Sequence, residues 1–201
     1  MPMVLDETGL RKMFPEVAEI QDAKLRQGVV DIWCEIAAEM AWNSFEDIPK
    51  NIKSERYRCL VPHVQAVTRM ALSLAEIAKE VQGRTYDRDL LIAICLLHDA
   101  SKPVETEPDP DGTAIPGSTV LPPRVSDLGS NLPHATYITH KVLEKGLGNR
   151  LAHLLITHTH ACNVRGKGWE AAVLFYADFA DTDAGIAPTG EQMYSQRWKP
   201  H

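Results

Sequence analysis

The chain carries eight histidines, His63, His98, His134, His140, His153, His158, His160 and His201, and six of them fall between positions 98 and 160. Several stand where an apolar run begins or ends. His98 and Asp99 close LLIAICLLHDA, the most hydrophobic stretch of the sequence, and a carboxylate there is costly to bury unless it is paired or bound to a cation. His63 opens one apolar-periodic segment and His134 opens another, directly after a proline-rich stretch. His158 ends LAHLLITH, and Asp178 lies within AAVLFYADFAD. Imidazole nitrogens and carboxylate oxygens converging on one point suit Fe, Mn, Zn or Ni, and an aspartate between two such ions can bridge them with its two oxygens. Spacing alone does not bring these residues together. The competing reading of the His98–Asp99 pair is a helix end whose polar side chains simply reach water.

The elements that must position them read as helices. Apolar residues recur at three- and four-residue intervals over 18–41, with a break at Gly28 as one reading. A second helix is predicted over 62–81, with Val64, Val67, Ala71, Leu74, Ala75 and Ala78 on one side and Gly83 as its stop. A third starts near Asp87, a good N-cap, and its residues 90–97 are apolar on every face, which places it in the middle of the fold. Further helices are predicted over 134–145, 150–158 and 169–181. Between 103 and 133 the periodicity is lost among seven prolines, so this stretch reads as a long loop, either a lid or disordered. No alternating run is long enough to claim a sheet. The fold class is all-α.

The 201 residues suit one domain of ordinary size, and the charge of -6 gives no reason to expect nucleic acid or an anionic membrane as partner. The longest apolar run is too short to span a bilayer, and the N-terminal residues lack the pattern of a signal peptide. Cys34, Cys59, Cys95 and Cys162 form no C-x-x-C and read as reduced, mostly buried thiols, so a cytoplasmic protein is expected. His140 is expected in packing or behind a ligand and His153 as a satisfied or surface residue, while His201 carries no role. Trp33 and Trp42 read as core or subunit-interface residues.

The order His63, His98-Asp99, His134, His158, Asp178 resembles that of the HD-domain superfamily of metal-dependent phosphohydrolases. The matching phrases are LVPHVQAVTRMALSLA, LLIAICLLHDASK, HATYITHKVL, LLITHTH and VLFYADFAD, spread over about residues 60–182. The resemblance implies an HD-like helical bundle over 56–184, preceded by a helical extension over 1–55 packed on it and followed by an irregular tail over 185–201. It implies one divalent transition metal (Fe, Mn, Ni or Zn) on His63, His98, Asp99 and Asp178. In branches of the superfamily with two ions the shared aspartate, here Asp99, bridges, and His134 and His158 hold the second. Those branches often show H-P-x-x-G and adjacent H-H. This chain has HATYIT and HTH instead, which leaves His160 as an alternative ligand beside His158.

Lys102, three residues after Asp99, matches a lysine that often faces a substrate phosphate, although a cation near a helix C-terminus is favoured in any case. Arg165, in RGKG, is a second candidate phosphate contact, or else part of a solvated turn. The implied activity is hydrolysis of a phosphate monoester or diester of a small molecule, with a nucleotide as one candidate and with Asp99 and Lys102 as the catalytic residues. The alternatives are a di-iron oxygenase of the same fold acting on a small anionic substrate, and a non-catalytic ligand-sensing domain. The acids of the proline-rich stretch, Glu105, Glu107, Asp109 and Asp111, are expected to face water. The amphipathic N-terminal helices leave a homo-oligomer open.

Overall fold

A computed structural model describes residues 3–52, 55–114, 120–159 and 162–197. Helices dominate it, and the all-α expectation holds. The centre is α4 (Arg88–Leu97), where every residue from 90 to 97 is buried. Its N-terminus is capped by the Asp87 side chain, which accepts from the Leu90 N–H at 3.0 Å. Against α4 lies α3 (Leu60–Gln82), ended by Gly83 at φ 66°, the left-handed cap that glycine adopts without a Cβ clash. Leu74, expected on the buried side of α3, is 40% exposed.

Around this pair pack α7 (Thr136–Glu144), α8 (Asn149–Thr157) and α9 (Trp169–Ile186), each joining the same apolar cluster. α9 runs five residues beyond its expected end at 181 and is followed by a short turn, α10 (Tyr194–Arg197), within the stretch expected to be irregular.

The N-terminal residues form α1 (Glu7–Met13), a 3-10 turn over Pro15–Glu19, and α2 (Ala23–Glu39), which continues unbroken through Gly28. The Leu147 side chain sits where a Cβ on Gly28 would point, so that glycine marks a close approach rather than a break. Trp33 of α2 is fully buried, touches the rings of Phe14 and Phe45, and donates its indole N–H to the Leu96 carbonyl of α4 at 3.2 Å. Trp42 is buried as well, so both tryptophans are core residues. Of the cysteines only Cys95 is fully buried; all four are free thiols.

Two short antiparallel ladders interrupt the helices. β1 (Pro49–Asn51) pairs with β2 (Glu55–Cys59) just before α3. The proline-rich stretch is not a bare loop. It starts with α5 (Lys102–Glu105), pairs β3 (Thr106–Pro108) with β4 (Pro123–Val125), and continues into α6 (Asp127–Asn131). Strands of three to five residues carry no periodicity long enough to read, which is why the sequence suggested none. Among the described residues no helix is long and apolar enough to cross a membrane.

Candidate metal centre

Five elements deliver histidine and aspartate side chains to one end of α4. α3 brings His63 in its first turn, and α4 ends in His98 followed by Asp99. The turn into α7 brings His134, the C-terminal cap of α8 is His158, and α9 brings Asp178. Two groups of ligating atoms result, His63–His98–Asp178 and Asp99–His134–His158, each with its atoms within 4.8 Å of one another. Asp99 lies between them. Its Oδ2 is 3.1 Å from His63 Nε2 and 3.5 Å from His98 Nε2, while its Oδ1 is 3.1 Å from His134 Nε2 and 3.9 Å from His158 Nε2. One carboxylate thus faces both histidine pairs, one oxygen to each.

The imidazoles are oriented from behind. His98 Nδ1–H donates to the Cys95 carbonyl at 2.7 Å, and His158 Nδ1–H to the Leu155 carbonyl at 2.6 Å, both three residues back along their own helices. His63 Nδ1–H donates to Asp181 and His134 Nδ1–H to Glu105, each at 2.6 Å. All four rings therefore direct Nδ1 outward to an acceptor and Nε2 inward, the arrangement in which metal-binding histidines are normally held. His63 Nε2 and His98 Nε2 are only 3.2 Å apart. Two lone pairs at that distance repel unless a proton or a cation lies between them, so the donor set fits a divalent ion.

Protons and the Lys102 ammonium compete with a cation for the same carboxylates. Burial opposes charge on Asp99, yet Lys102 and the imidazoles around it hold its carboxyl well below the ordinary range. Burial also acts against charging His134, but Asp99 and Glu105 raise it to about 9. In the same way Asp181 and Asp99 raise His63. His98 and His158 are pushed the other way by burial, His158 to about 4, and stay neutral. Ala135, next to His134, is fully buried at φ 69°, a backbone that proline could not adopt and that is strained for any residue but glycine. Glu105 spans this kink, bonding His134 through one oxygen and lying 3.4 Å from the Ala135 N–H with the other.

Two of these partners escaped sequence reading. Glu105, expected in water, is half-buried against His134 and the Ala135 N–H, at the end of α5. Asp181 is three residues after Asp178, so both fall on one face of α9 and flank the two nitrogens of the His63 ring. That spacing was legible, but a second acid in ADFAD reads equally well as surface. Asp181 is itself held by Arg58, at 2.6 Å.

Lys102 Nζ is 2.5 Å from Asp99 Oδ2 and donates to the Lys50 carbonyl at 2.7 Å. Both lysines line a cleft of about 230 Å³ together with Asp99, His134, His158 and Asp178. Lys50 is 5% exposed, and no motif pointed to it. Arg165 is not in this cleft; it lines a neighbouring cavity. His140 is exposed rather than packed, and His153 is half-buried with an Nε2 that finds no hydrogen-bond partner among the described residues. His160 and His201 lie outside the described residues.

Fold and site together define an all-α protein with buried histidine and aspartate groups that could hold a metal. Among curated proteins the chain is similar to the dihydroneopterin 2',3'-cyclic phosphate phosphodiesterase of Methanocaldococcus jannaschii, 27% identical over 182 residues that cover 86% of this chain and 69% of the relative. No protein-family model matches the chain, and no solved structure matches it.

Proposed function

We propose that the protein is a metal-dependent phosphodiesterase of the HD-domain type, hydrolysing a cyclic phosphate of a small molecule. The observation that carries this reading is the position of Asp99, one oxygen toward each histidine pair with two lysines at the same cleft. The similarity to a cyclic phosphate phosphodiesterase supports the choice of reaction. In this reading His63, His98 and Asp178 hold one divalent ion, His134 and His158 a second, and Asp99 is shared. Such ions, when bound, supply Lewis acidity that lowers the pKa of water and neutralises charge on phosphoryl oxygens.

The chain's own residues do the rest. Lys102, anchored by the Lys50 carbonyl and Asp99, presents a fixed cation to the phosphate and to the charge that develops on it. Lys50, its ammonium held at 2.5 Å by the Thr182 hydroxyl, adds positive charge to the same wall. Asp181 and Glu105 keep His63 and His134 aimed inward, so the ligand geometry exists before substrate arrives. Residues 56–184 form the catalytic unit in this reading, and the segments before and after it complete its walls.

The test is metal analysis of protein purified without chelator, followed by assay against cyclic 2',3'-phosphates of dihydroneopterin and of nucleosides and against glycerol cyclic phosphate. One or two ions per chain, lost in Asp99→Ala together with phosphodiesterase activity, are expected. A protein that takes up no metal after reconstitution, or in which Asp99→Ala keeps its full metal content, overturns the reading.

A further inference from the structure

A second cavity, of about 720 Å³, adjoins the metal cleft and shares His158, Thr159, Phe179 and Tyr194 with it as a common wall. Its remaining lining is mostly apolar and includes Leu154, Ala171, Leu174 and Phe175. Three aromatic rings stand in sequence along it. Phe175 and Phe179 are one helical turn apart on α9 with centroids 4.4 Å apart, and Phe179 meets Tyr194 edge-on at 5.0 Å. Arg197 lies over the Tyr194 ring at 4.1 Å, and Arg165 lines the cavity from the opposite loop.

Tyr194 and Arg197 are brought there by a specific clip. The two carboxylate oxygens of Asp183 accept from the Tyr194 and Ser195 N–H groups at 2.6 and 3.0 Å, tying α10 back onto α9. The sizes divide the labour. The metal cleft lies below the range of about 300–1,000 Å³ that holds small organic ligands, whereas the adjoining cavity falls within it.

We propose that this cavity is the subsite for the organic part of the phosphodiester and that it selects a planar heteroaromatic ring, placed against Phe175 and Phe179 while the phosphate lies beside Lys102. A flat ring is the occupant that such walls favour, because ring faces and guanidinium planes stack with little loss of conformational freedom and tolerate polar ring edges at an open rim. The proposal rests on the phosphodiesterase reading of the adjoining cleft, but its central test needs no turnover.

Adenosine and neopterin, which carry rings and no phosphate, are titrated into the purified protein by equilibrium fluorescence. At least one should bind saturably. Phe175→Ala, at a position 38% exposed and away from the histidine centre, should weaken that binding about tenfold, as expected for the loss of one stacking ring. Ala172→Phe, which fills the cavity, should abolish it. In kinetics Phe175→Ala should raise KM about tenfold for ring-bearing cyclic phosphates while kcat stays within about twofold and glycerol cyclic phosphate is unaffected. Failure of both ring compounds to bind, or binding that neither cavity variant alters, overturns the subsite. Ring binding in a protein that hydrolyses no cyclic phosphate overturns the reaction and leaves the subsite standing.

Discussion

In the proposed phosphodiesterase the chemistry centres on Asp99, where one buried carboxylate meets four imidazoles and a lysine, and Lys102 above all lowers the cost of its charge. The partners behind the ligands should matter nearly as much as the ligands. Asp181→Asn and Glu105→Gln keep the shape of each side chain but remove the carboxylate that fixes His63 or His134. Each should weaken metal affinity by about 10–100-fold, measured by competition with a chelator of known affinity, while far-UV circular dichroism stays unchanged. Lys102→Ala should behave differently: metal content is retained, and kcat/KM for a cyclic phosphate falls about a hundredfold. A drop in metal content parallel to the drop in rate would assign Lys102 to holding Asp99 rather than to the phosphate.

At the scale of elements, α5 and the start of α7 set His134, and both depend on contacts made elsewhere. A Cβ on Gly129 of α6 would lie 2.1 Å from the Glu105 carbonyl oxygen, a backbone atom that cannot swing away. Gly129→Ala should therefore push α6 off α5, release Glu105 and lower metal affinity although residue 129 touches no ligand; an unchanged affinity in the chelator competition would show that α6 does not support the site. α7 is also clipped to α2 by ion pairs of Glu35 with Lys141, at 3.1 Å, and with Lys145. Burial alone would raise Glu35, yet the two lysines lower it below its ordinary value. A carboxylate depressed in the folded state stabilises above its unfolded pKa and loses that contribution as the pH falls through the folded value. The stability difference between wild type and Glu35→Gln should thus be present at neutral pH and vanish in acid. It should be small, about 0.5 kcal/mol per exposed pair, as read from urea unfolding.

Over the whole molecule, the N-terminal helices belong to the same apolar cluster as α4, through Leu10, Phe14, Val29, Trp33 and Ile36. Trp33→Ala removes the largest buried side chain and its bond to Leu96, and should cost about 3–5 kcal/mol in denaturant unfolding. A chain truncated just before Pro49 should lose cooperative unfolding altogether, since α4 would be left with an open apolar face. A sharp thermal transition in that truncated chain would show instead that the remaining helices fold by themselves.

How much of this was legible follows from the range of the interactions. Helix periodicity, the Asp87 cap and the Gly83 stop are set by neighbours within one or two turns, so the main helices and the central place of α4 could be read directly. The residues now gathered at the candidate centre were also legible, as an ordered set of histidines and aspartates at helix ends. Their convergence was not, because it depends on how five elements pack across more than a hundred residues of chain. Only the tertiary structure could turn Glu105 from a loop acid into a half-buried partner of His134, place Lys50 beside Lys102, and fold Tyr194 from the C-terminal stretch onto the cleft. Local chemistry determines which elements form and which side chains are available. Contacts between residues distant in sequence decide which of those side chains lose water together, and burial in common is what gives a group of histidines and carboxylates its altered charge states and its affinity for a cation.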